Sequence, residues 1–233
     1  MHQQEGTLAV LSIIIPTLNA GTALGSTLAS ISSASALAYE IIVADGGSID
    51  DTAAVAIDGD AIFLETTRGR GRQLAAGAAA AAGDWLLFLH ADTRPQHSWP
   101  QAVNAFISDP ANVAVAGYFD LTLEDEAWAA RLLERMVRLR NLLFGLPYGD
   151  QGLLIHRSFY EQLGGYRCLP LMEDVDIVRR IGRRRLRPTG TSVITSVEKY
   201  RRDGYLMRPL MNFCLLVLYA AGVSPHRLSR LYR

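Results

Sequence analysis

Cysteine is scarce in this sequence. Its two cysteines, Cys168 and Cys214, form no metal-binding pattern and no disulfide framework. We therefore expect two buried or partly buried thiols, which suit a reducing compartment. A chain of 233 residues needs no covalent support, because a domain of this size buries roughly 70% of the surface that its unfolded chain exposes.

Targeting signals and long apolar runs are also missing. The first ten residues, MHQQEGTLAV, lack the basic and apolar regions of a secretory signal peptide. Near the other end, residues 209–223 form an uncharged stretch of 15 residues, short of the ~20 that span a bilayer as a helix. Two interpretations stay open, a core helix or a helix on a membrane surface. We expect a cytoplasmic protein, with 205–223 as the candidate for peripheral contact with the inner face of a membrane.

Lysine is absent from residues 1–126, which hold 4 arginines against 15 acidic residues. Residues 127–233 hold 19 basic residues against 8 acidic ones, so the net charge of zero conceals an acidic half and a basic half. Either the halves neutralise each other in the fold, or the second half handles an anion such as a phosphate or an acidic lipid surface. The densest basic run, 179–187, lacks the aromatic residues that stack on bases, so we expect no nucleic-acid partner.

Common motifs of phosphate binding and hydrolysis are absent as well. The sequence has no G-x-x-x-x-G-K-[ST] and no G-x-S-x-G. In RGRGRQL, Gly69 and Gly71 are present, but Leu74 stands where a dinucleotide fingerprint needs its third glycine. These absences argue against P-loop enzymes, serine hydrolases and most nicotinamide-dependent enzymes.

What is present in the first half is an alternation of apolar runs with helix-forming stretches. We predict buried strands at 11–19, 40–48, 61–67 and 84–93. We predict helices between and after them at 22–35, 50–57 and 72–83. Such alternation indicates an α/β fold with a doubly wound, mostly parallel sheet.

The second half is less regular, with predicted strands at 112–124 and 152–157. A predicted helix at 127–144 places its apolar residues on one face, which an amphipathic helix ordinarily turns toward the core. The residues of that face are Trp128, Leu132, Met136, Leu139 and Leu143. We expect one domain over 1–233, made of a nucleotide-binding half (8–110), a second half (111–197) and a C-terminal helical extension (198–233).

Polar residues follow the predicted strands of the first half, where ligands bind in open parallel sheets. They are Thr17, Asn19, Asp45, Arg70, Arg72 and Asp92. We expect all of them at the same edge of the sheet.

Five motifs in order give the chain a family resemblance. They are IIIPTLNAG, IIVADGGSIDDT, GRGRQLAAGAAAAAGDWLLFLHADT, GDQGLLIHRSFYEQLGGY and MEDVDIVRRI, within residues 8–187. With them the chain resembles the family 2 glycosyltransferases, and especially a bacterial subgroup with an LHADT motif and a Y-x-R-D-G-Y tail. The resemblance implies a GT-A fold with a Rossmann-like half, a nucleotide-sugar donor, Mn²⁺ or Mg²⁺, and inverting transfer of the hexosyltransferase type.

The resemblance also implies roles for the donor-binding residues. Asp45 matches the first acid of the family's acidic turn and would accept a hydrogen bond from the donor's base; the alternative is that it caps its own turn. Thr17 and Asn19 would line the base and ribose. A carboxylate that accepts from a ring N–H suits uracil, so a UDP-sugar is favoured, and guanine offers such donors too, so a GDP-sugar stays open. Gly46 and Ala20 stand where the family often has acids, and Ala20 weakens the assignment of a specific base.

Asp92 matches the last acid of the family's D-x-D metal motif. His90 stands at the position of the first acid, and its role stays open between a metal ligand and a structural or donor-ribose contact. Ala91, Arg70 and Arg72 are placed with the donor; the alternative for the arginines is pairing with acidic neighbours.

The family's E-D motif places its general base at Asp174, which would take the proton of the acceptor hydroxyl. Glu173 and Asp176 are beside it, where acidic residues also stabilise the start of a helix. The resemblance places Asp150 and Gln151 near the sugar or acceptor.

The basic residues Lys199, Arg201 and Arg202 are candidates for contact with the diphosphate, or for a basic surface helix.

From these motifs together we predict a metal-dependent inverting glycosyltransferase with an unknown acceptor, for which a lipid-linked hydroxyl compound is one candidate. The alternatives are a sugar nucleotidyltransferase and a non-catalytic nucleotide-sugar binding module.

Overall fold

An eight-stranded sheet lies at the centre of the computed structural model, which describes residues 11–32, 37–195 and 207–231. The strands are β1 (Leu11–Thr17), β2 (Tyr39–Asp45), β3 (Ile62–Glu65), β4 (Trp85–Phe88), β5 (Thr93–Pro95), β6 (Ala116–Leu123), β7 (Leu153–His156) and β8 (Leu186–Thr195). The helices are α1 (Gly21–Ser32), α2 (Thr52–Asp58), α3 (Arg70–Ala80), α4 (Trp99–Ile107), α5 (Trp128–Phe144), α6 (Arg157–Gln162), α7 (Glu173–Ile181), α8 (Met207–Ala220) and α9 (Pro225–Leu231).

The strand order across the sheet is β3-β2-β1-β4-β7-β6-β8-β5. Strands β1 to β4 pair in parallel, and β6 and β8 are also parallel. Strand β7 is antiparallel to both β4 and β6, and β5 is antiparallel to β8. The predicted α/β class and mostly parallel sheet are confirmed. The predicted strand 84–93 is wrong in its second part, because the chain leaves β4 at Phe88 and starts β5 at Thr93.

The continuous apolar runs form strands because both faces of the sheet are covered. In β1, Ile13 and Ile15 pack on one face with Leu24 and Leu28 of α1. Ile14 points to the other face and packs in the cluster that includes α3 and α7. Successive residues of a strand point to opposite faces, so each of them must be apolar here.

Helix α3 approaches the sheet closely at Gly77. A Cβ atom at this position would lie 2.4 Å from Cγ2 of Ile14, whose β-branched side chain has little freedom to move. Glycine at this point therefore sets the distance between α3 and β1, and it places the start of α3 beside the ends of β1 and β2.

We expect Gly77→Ala to lower the free energy of unfolding by about 1–3 kcal/mol, because overpacking outweighs the gain in helix propensity. Gly25→Ala on α1 is the matched control. Its Cβ would lie 3.6 Å from Val55, an ordinary contact, so this variant should gain up to about 1 kcal/mol. Urea denaturation measures both variants, and equal effects would contradict the close approach.

The predicted apolar face of α5 is exposed, so the expectation that it is buried is wrong. The buried face includes Ala130, Leu133 and Val137, which pack on Leu121 and Leu123 of β6, together with the polar residues Glu134 and Asn141. Polar anchoring explains this choice: Glu134 accepts a hydrogen bond of 2.7 Å from the backbone N–H of Leu123. Because this buried carboxylate must keep its hydrogen bond, the helix turns its more apolar face away from the core.

The interpretation of residues 209–223 as a core helix is also wrong. In α8, Leu215 is buried against Met172, Val175 and Leu228, whereas most described side chains of α8 are exposed. No helix in the described ranges is long and apolar enough to cross a membrane.

Both cysteines are exposed, contrary to our expectation of buried or partly buried thiols. Cys168 lies in the loop before α7, and Cys214 lies on the outer side of α8.

Candidate active site

The ends of β1 and β2 lie side by side, with Thr17 paired in register with Asp45. The Asp45 carboxylate accepts hydrogen bonds from the hydroxyls of Thr17 (2.8 Å) and Ser48 (2.5 Å) and from the amides of Gly47 (2.9 Å) and Ser48 (2.7 Å). Burial pushes the pKa of Asp45 upward, but these hydrogen bonds outweigh it, so the pKa lies below its ordinary value. The structure thus has Asp45 in the turn-capping role; its contact with a base stays a prediction.

Asn19 fastens the loop after β1 to the loop after β2. It has a left-handed backbone (φ 50°), and its side-chain oxygen accepts a hydrogen bond from the backbone N–H of Ile49 (2.9 Å). The backbone N–H of Asn19 donates to Ser48 Oγ (2.7 Å). The amide of Ala20 donates to Thr52 Oγ1 (2.9 Å). These contacts hold the predicted nucleoside-binding loops in one arrangement.

Gln73 is a site residue that the sequence motifs did not reveal. It is buried, and its Nε2 donates to the carbonyls of Thr17 (2.6 Å) and Ala44 (3.0 Å). Its Oε1 accepts from the amide of Gly69 (3.3 Å). The available signal was a glutamine in the first turns of an alanine-rich helix that packs on a sheet.

Arg70 links the start of α3 to the start of α7. Its Nε lies 2.6 Å from Oε1 of Glu173, and its NH1 lies 3.4 Å from Nε2 of His90. Burial raises the pKa of Glu173, although Arg70 opposes this rise. Arg72 is exposed. The structure therefore brings together Arg70, His90 and Glu173, and it pairs Arg70 with an acid far along the chain.

We expect Arg70→Met to destabilise the protein, because it leaves Glu173 buried without its cation. In the unfolded chain Glu173 ionises with a pKa of about 4.3, whereas the fold without Arg70 disfavours the ionised form. The loss in the free energy of unfolding should therefore grow as the pH rises from 5 to 8. At pH 8 the loss should reach about 1–3 kcal/mol, less than for a fully buried pair because Arg70 is partly exposed.

Arg72→Met on the same helix is the matched control and should cost under about 0.5 kcal/mol at either pH. Urea denaturation at both pH values measures the effect. Equal, pH-independent losses in the two variants would contradict the role of the ion pair.

Asp174 lies at the first turn of α7, after Met172, which has a left-handed backbone (φ 65°). Its Oδ2 accepts from the amide of Gly149 (2.9 Å), and its Oδ1 accepts from the amide of Val175 (2.8 Å). A Cβ at Gly149 would lie 2.7 Å from His90 Nε2 and 3.4 Å from Asp174 Oδ2. The predicted base and His90 thus meet across a glycine, at a cavity whose lining includes both of them.

Asp150 and Gln151 follow Gly149 and have different surroundings. Oδ1 of Asp150 is buried and has no hydrogen-bond partner among the described residues. Burial raises the pKa of Asp150, and the charges of Asp174 and Asp92 add to the rise while Arg140 opposes it. Asp150 is therefore close enough to both predicted site acids to sense their charge.

Gln151 is fully buried and serves the structure of this turn. Its Oε1 accepts from Arg140 (2.9 Å) and Asn141 (3.1 Å) of α5, and its Nε2 donates to the carbonyl of Phe119 (2.9 Å). These contacts fasten the end of α5 to the turn that holds Asp174. Its predicted proximity to the sugar or acceptor stays a prediction.

The remaining candidates have distinct positions. Asp176 is paired with Arg180 (2.6 Å) and Arg167 (3.1 Å), so it holds the loop before α7. The carbonyl of Ala91 accepts a hydrogen bond from Thr27 of α1 (2.8 Å). Lys199, Arg201 and Arg202 lie outside the described residues.

In the described ranges, no three His, Cys, Asp or Glu side chains converge in a cluster that could hold a metal ion. Asp92 is half-buried, and the unpartnered oxygen of Asp150 is the nearby group that fits a cation. Mg²⁺ and Mn²⁺ accept one or two carboxylates when phosphates and water supply the other ligands. Asp92 and Asp150 therefore fit an ion that is bound together with a diphosphate.

Comparison with known protein families identifies the family of this chain. The model of a family described as "Glycosyl transferase family 2" matches residues 12–163. Curated proteins of Mycobacterium bovis and Mycobacterium tuberculosis, described as PGL/p-HBAD biosynthesis glycosyltransferases, are 30% identical over 168 residues. The match covers 67% of this chain and 63% of theirs, so the chain spans less than two thirds of those relatives.

Solved structures share the fold. Glucosyl-3-phosphoglycerate synthase of Mycobacterium tuberculosis, solved with Mn²⁺, UDP and glucosyl-3-phosphoglycerate, aligns with a TM-score of 0.54 at 22% identity over 81% of this chain and 75% of that one. TarS of S. aureus aligns with a TM-score of 0.62 at 13% identity over 94% of this chain and 41% of that one.

Proposed function

The chain belongs to the family 2 glycosyltransferases and has their GT-A fold, and from this premise we propose that it moves a sugar from a nucleotide-diphosphate sugar to an acceptor hydroxyl with inversion. The proposal rests on the different interaction partners of three neighbouring acids. Glu173 is paired with Arg70 and Asp176 with Arg180, whereas the carboxylate of Asp174 is held by backbone amides beside a cavity.

Inverting transfer needs one general base and no carboxylate nucleophile. Asp174 takes the proton of the acceptor hydroxyl as its oxygen forms the bond to the anomeric carbon. The bond from that carbon to the diphosphate breaks, and the diphosphate leaves with the electron pair. Each oxygen of Asp174 accepts one amide hydrogen bond, which leaves acceptor capacity for the substrate hydroxyl.

The donor lies along the ends of β1, β2 and β4 in this proposal. Thr17, Asn19 and Asp45 provide the nucleoside end, and Ala91 and Arg72 are near the diphosphate and sugar. A UDP-sugar is favoured because a solved relative of the same fold binds UDP-glucose with Mn²⁺; a GDP-sugar stays the second candidate.

Asp92 and Asp150 would hold Mn²⁺ or Mg²⁺ together with the donor phosphates. Such an ion supplies Lewis-acid stabilisation of the charge that grows on the diphosphate. His90 contacts Arg70 and borders Gly149, which supports a positioning role over ligation of the metal. Through this contact His90 keeps Arg70 and Glu173 aligned beneath the donor.

The donor for the following experiments is selected by thermal shift with UDP-, GDP- and dTDP-sugars, each with and without Mn²⁺, because a ligand of the folded state raises its apparent stability. We expect Asp174→Asn to lower release of the nucleoside diphosphate from the selected donor by about 100-fold or more, since the acceptor loses its base. Donor affinity should change less than about twofold, as calorimetry will measure.

Asp58→Asn, an exposed change on α2, is the control for Asp174→Asn and should retain full activity. Turnover of the Asp174→Asn variant at the wild-type rate would refute the assignment of the base.

We expect Asp92→Ala to weaken binding of the selected donor in Mn²⁺ by about tenfold or more, because the ion loses a carboxylate ligand. Titration in EDTA should give the same weak affinity for variant and wild type. Asp58→Ala is the control, and an unchanged affinity of the Asp92→Ala variant in Mn²⁺ would argue against the metal site.

A further inference from the structure

We propose that the outer face of α5 docks on an acidic lipid bilayer surface and holds this protein there as a peripheral membrane enzyme. The face is defined by the exposed side chains of Trp128, Leu132, Met136, Leu139 and Leu143, here called the α5 stripe. The docking is independent of the proposed function.

The α5 stripe is a regular feature of the helix. Its members follow one another at three- or four-residue intervals, which keeps them on one side over about 22 Å. Trp128 is 77% exposed, and Leu142 next to the stripe is 67% exposed. Contiguous exposed apolar side chains of this size mark an interaction surface.

The helix cannot bury the stripe by rotating, because its inner face is fixed. Val137 and Leu133 pack on β6, Glu134 binds the amide of Leu123, and Asn141 donates to Gln151. Rotation would expose these apolar residues and break the hydrogen bonds. The stripe is therefore available to an external partner in the folded protein.

The charges around the stripe identify the partner. Arg135 lies at one edge of the stripe, Arg131 and Arg138 lie farther out on the same side, and Arg140 lies on the other side. Of these, Arg138 is paired with Asp120 (3.8 Å). The acid of this helix, Glu134, is buried and paired with Arg131. Arg135 has no hydrogen-bond or ion-pair partner in the part of the chain that the structure describes. Tryptophan and leucine beside an arginine on one exposed face are the composition of an interfacial helix, and Arg135, unpaired among the described residues, favours acidic lipids.

A second copy of this chain fits the stripe less well. Two copies that meet through this face bring their arginines together, and like charges at an interface oppose association. An acidic bilayer instead takes the apolar side chains into its interface and pairs its headgroups with the arginines. The observations therefore favour a membrane surface.

Helix α8 adds a second exposed apolar surface, with Leu210, Phe213 and Val217 on its outer side. Its buried side chain, Leu215, packs on Met172 and so lies next to the start of α7.

Helix α5 reaches the same end of the molecule. Arg140 lies 3.6 Å from the ring centre of Tyr148, in the turn that precedes Gly149. Helices α5 and α8 thus both contact the segment that holds Asp174. If the proposed function holds, a bilayer on these surfaces brings the acceptor side of the site close to lipid-linked hydroxyl compounds.

Trp128 offers a direct test, since Trp85 and Trp99 are buried (3% and 0% exposed) and Trp128 alone of the three tryptophans faces solvent. The full chain is titrated with vesicles of phosphatidylcholine, with and without phosphatidylglycerol. Acidic vesicles should shift the emission to shorter wavelength, and brominated acyl chains should quench it. In Trp128→Phe both changes should vanish.

Vesicle sedimentation of two variants and one control separates the apolar contribution to binding from the electrostatic one. Leu139→Glu should lower partitioning to acidic vesicles by about tenfold or more. Arg135→Gln should weaken binding to acidic vesicles and leave the weaker binding to neutral vesicles unchanged. Ile57→Glu, an exposed apolar residue of α2 at the far edge of the sheet, is the matched control and should bind as wild type.

Asp174→Asn should also bind vesicles as wild type, so that failure of docking and failure of the catalytic assignment are distinguishable. Circular dichroism verifies that each variant is folded. The proposal is overturned if Trp128 emission does not respond to acidic vesicles. A dimer by light scattering that Leu139→Glu dissociates, without vesicle binding, would likewise overturn it and assign the stripe to a second copy.

Discussion

The ion pair between Arg70 and Glu173 joins the two halves of the site. Arg70 begins α3, which packs on β1 and β2, and Glu173 begins α7, which carries the proposed base one residue later. Because Glu173 is buried, removal of its cation leaves an uncompensated charge, so the pair defines where α7 starts relative to α3. His90 at the end of β4 meets the same arginine. The position of Asp174 follows from these contacts.

The acids of the site differ in what surrounds them. Asp45 is satisfied by hydroxyls and amides of its own turn, and Asp176 is satisfied by two arginines. Asp174 has amide donors, and Asp150 has a buried oxygen without a partner among the described residues. A carboxylate that is already paired serves the structure, whereas one that keeps acceptor capacity is suited to a proton or a cation. On this difference rests our proposal that Asp174 and Asp150, and not Asp176, face the proton and the cation.

Helix α5 connects the site with the surface of the molecule. Its inner face is tied to β6 through Glu134 and to the turn of Gly149 through Asn141 and Gln151. The same ties turn the apolar stripe outward. One set of buried hydrogen bonds therefore shapes the turn beside Asp174 and also creates the surface that we assign to a bilayer.

The sequence by itself determined where the strands β1 to β4 lie along the chain and which polar residues follow them. Apolar runs buried on both faces are a local signal, and the carboxyl ends of parallel strands meet at one edge whatever the rest of the fold does. The motifs are also local signals, and their order along the chain identified the family and placed Thr17, Asp45 and Asp174 among the candidates. Only the tertiary structure decided which acid is paired, that Gln73 bridges Thr17 and Ala44, and which face of α5 is buried. These outcomes depend on partners that are distant in the chain, and periodicity cannot detect a buried carboxylate that finds a backbone amide across the sheet.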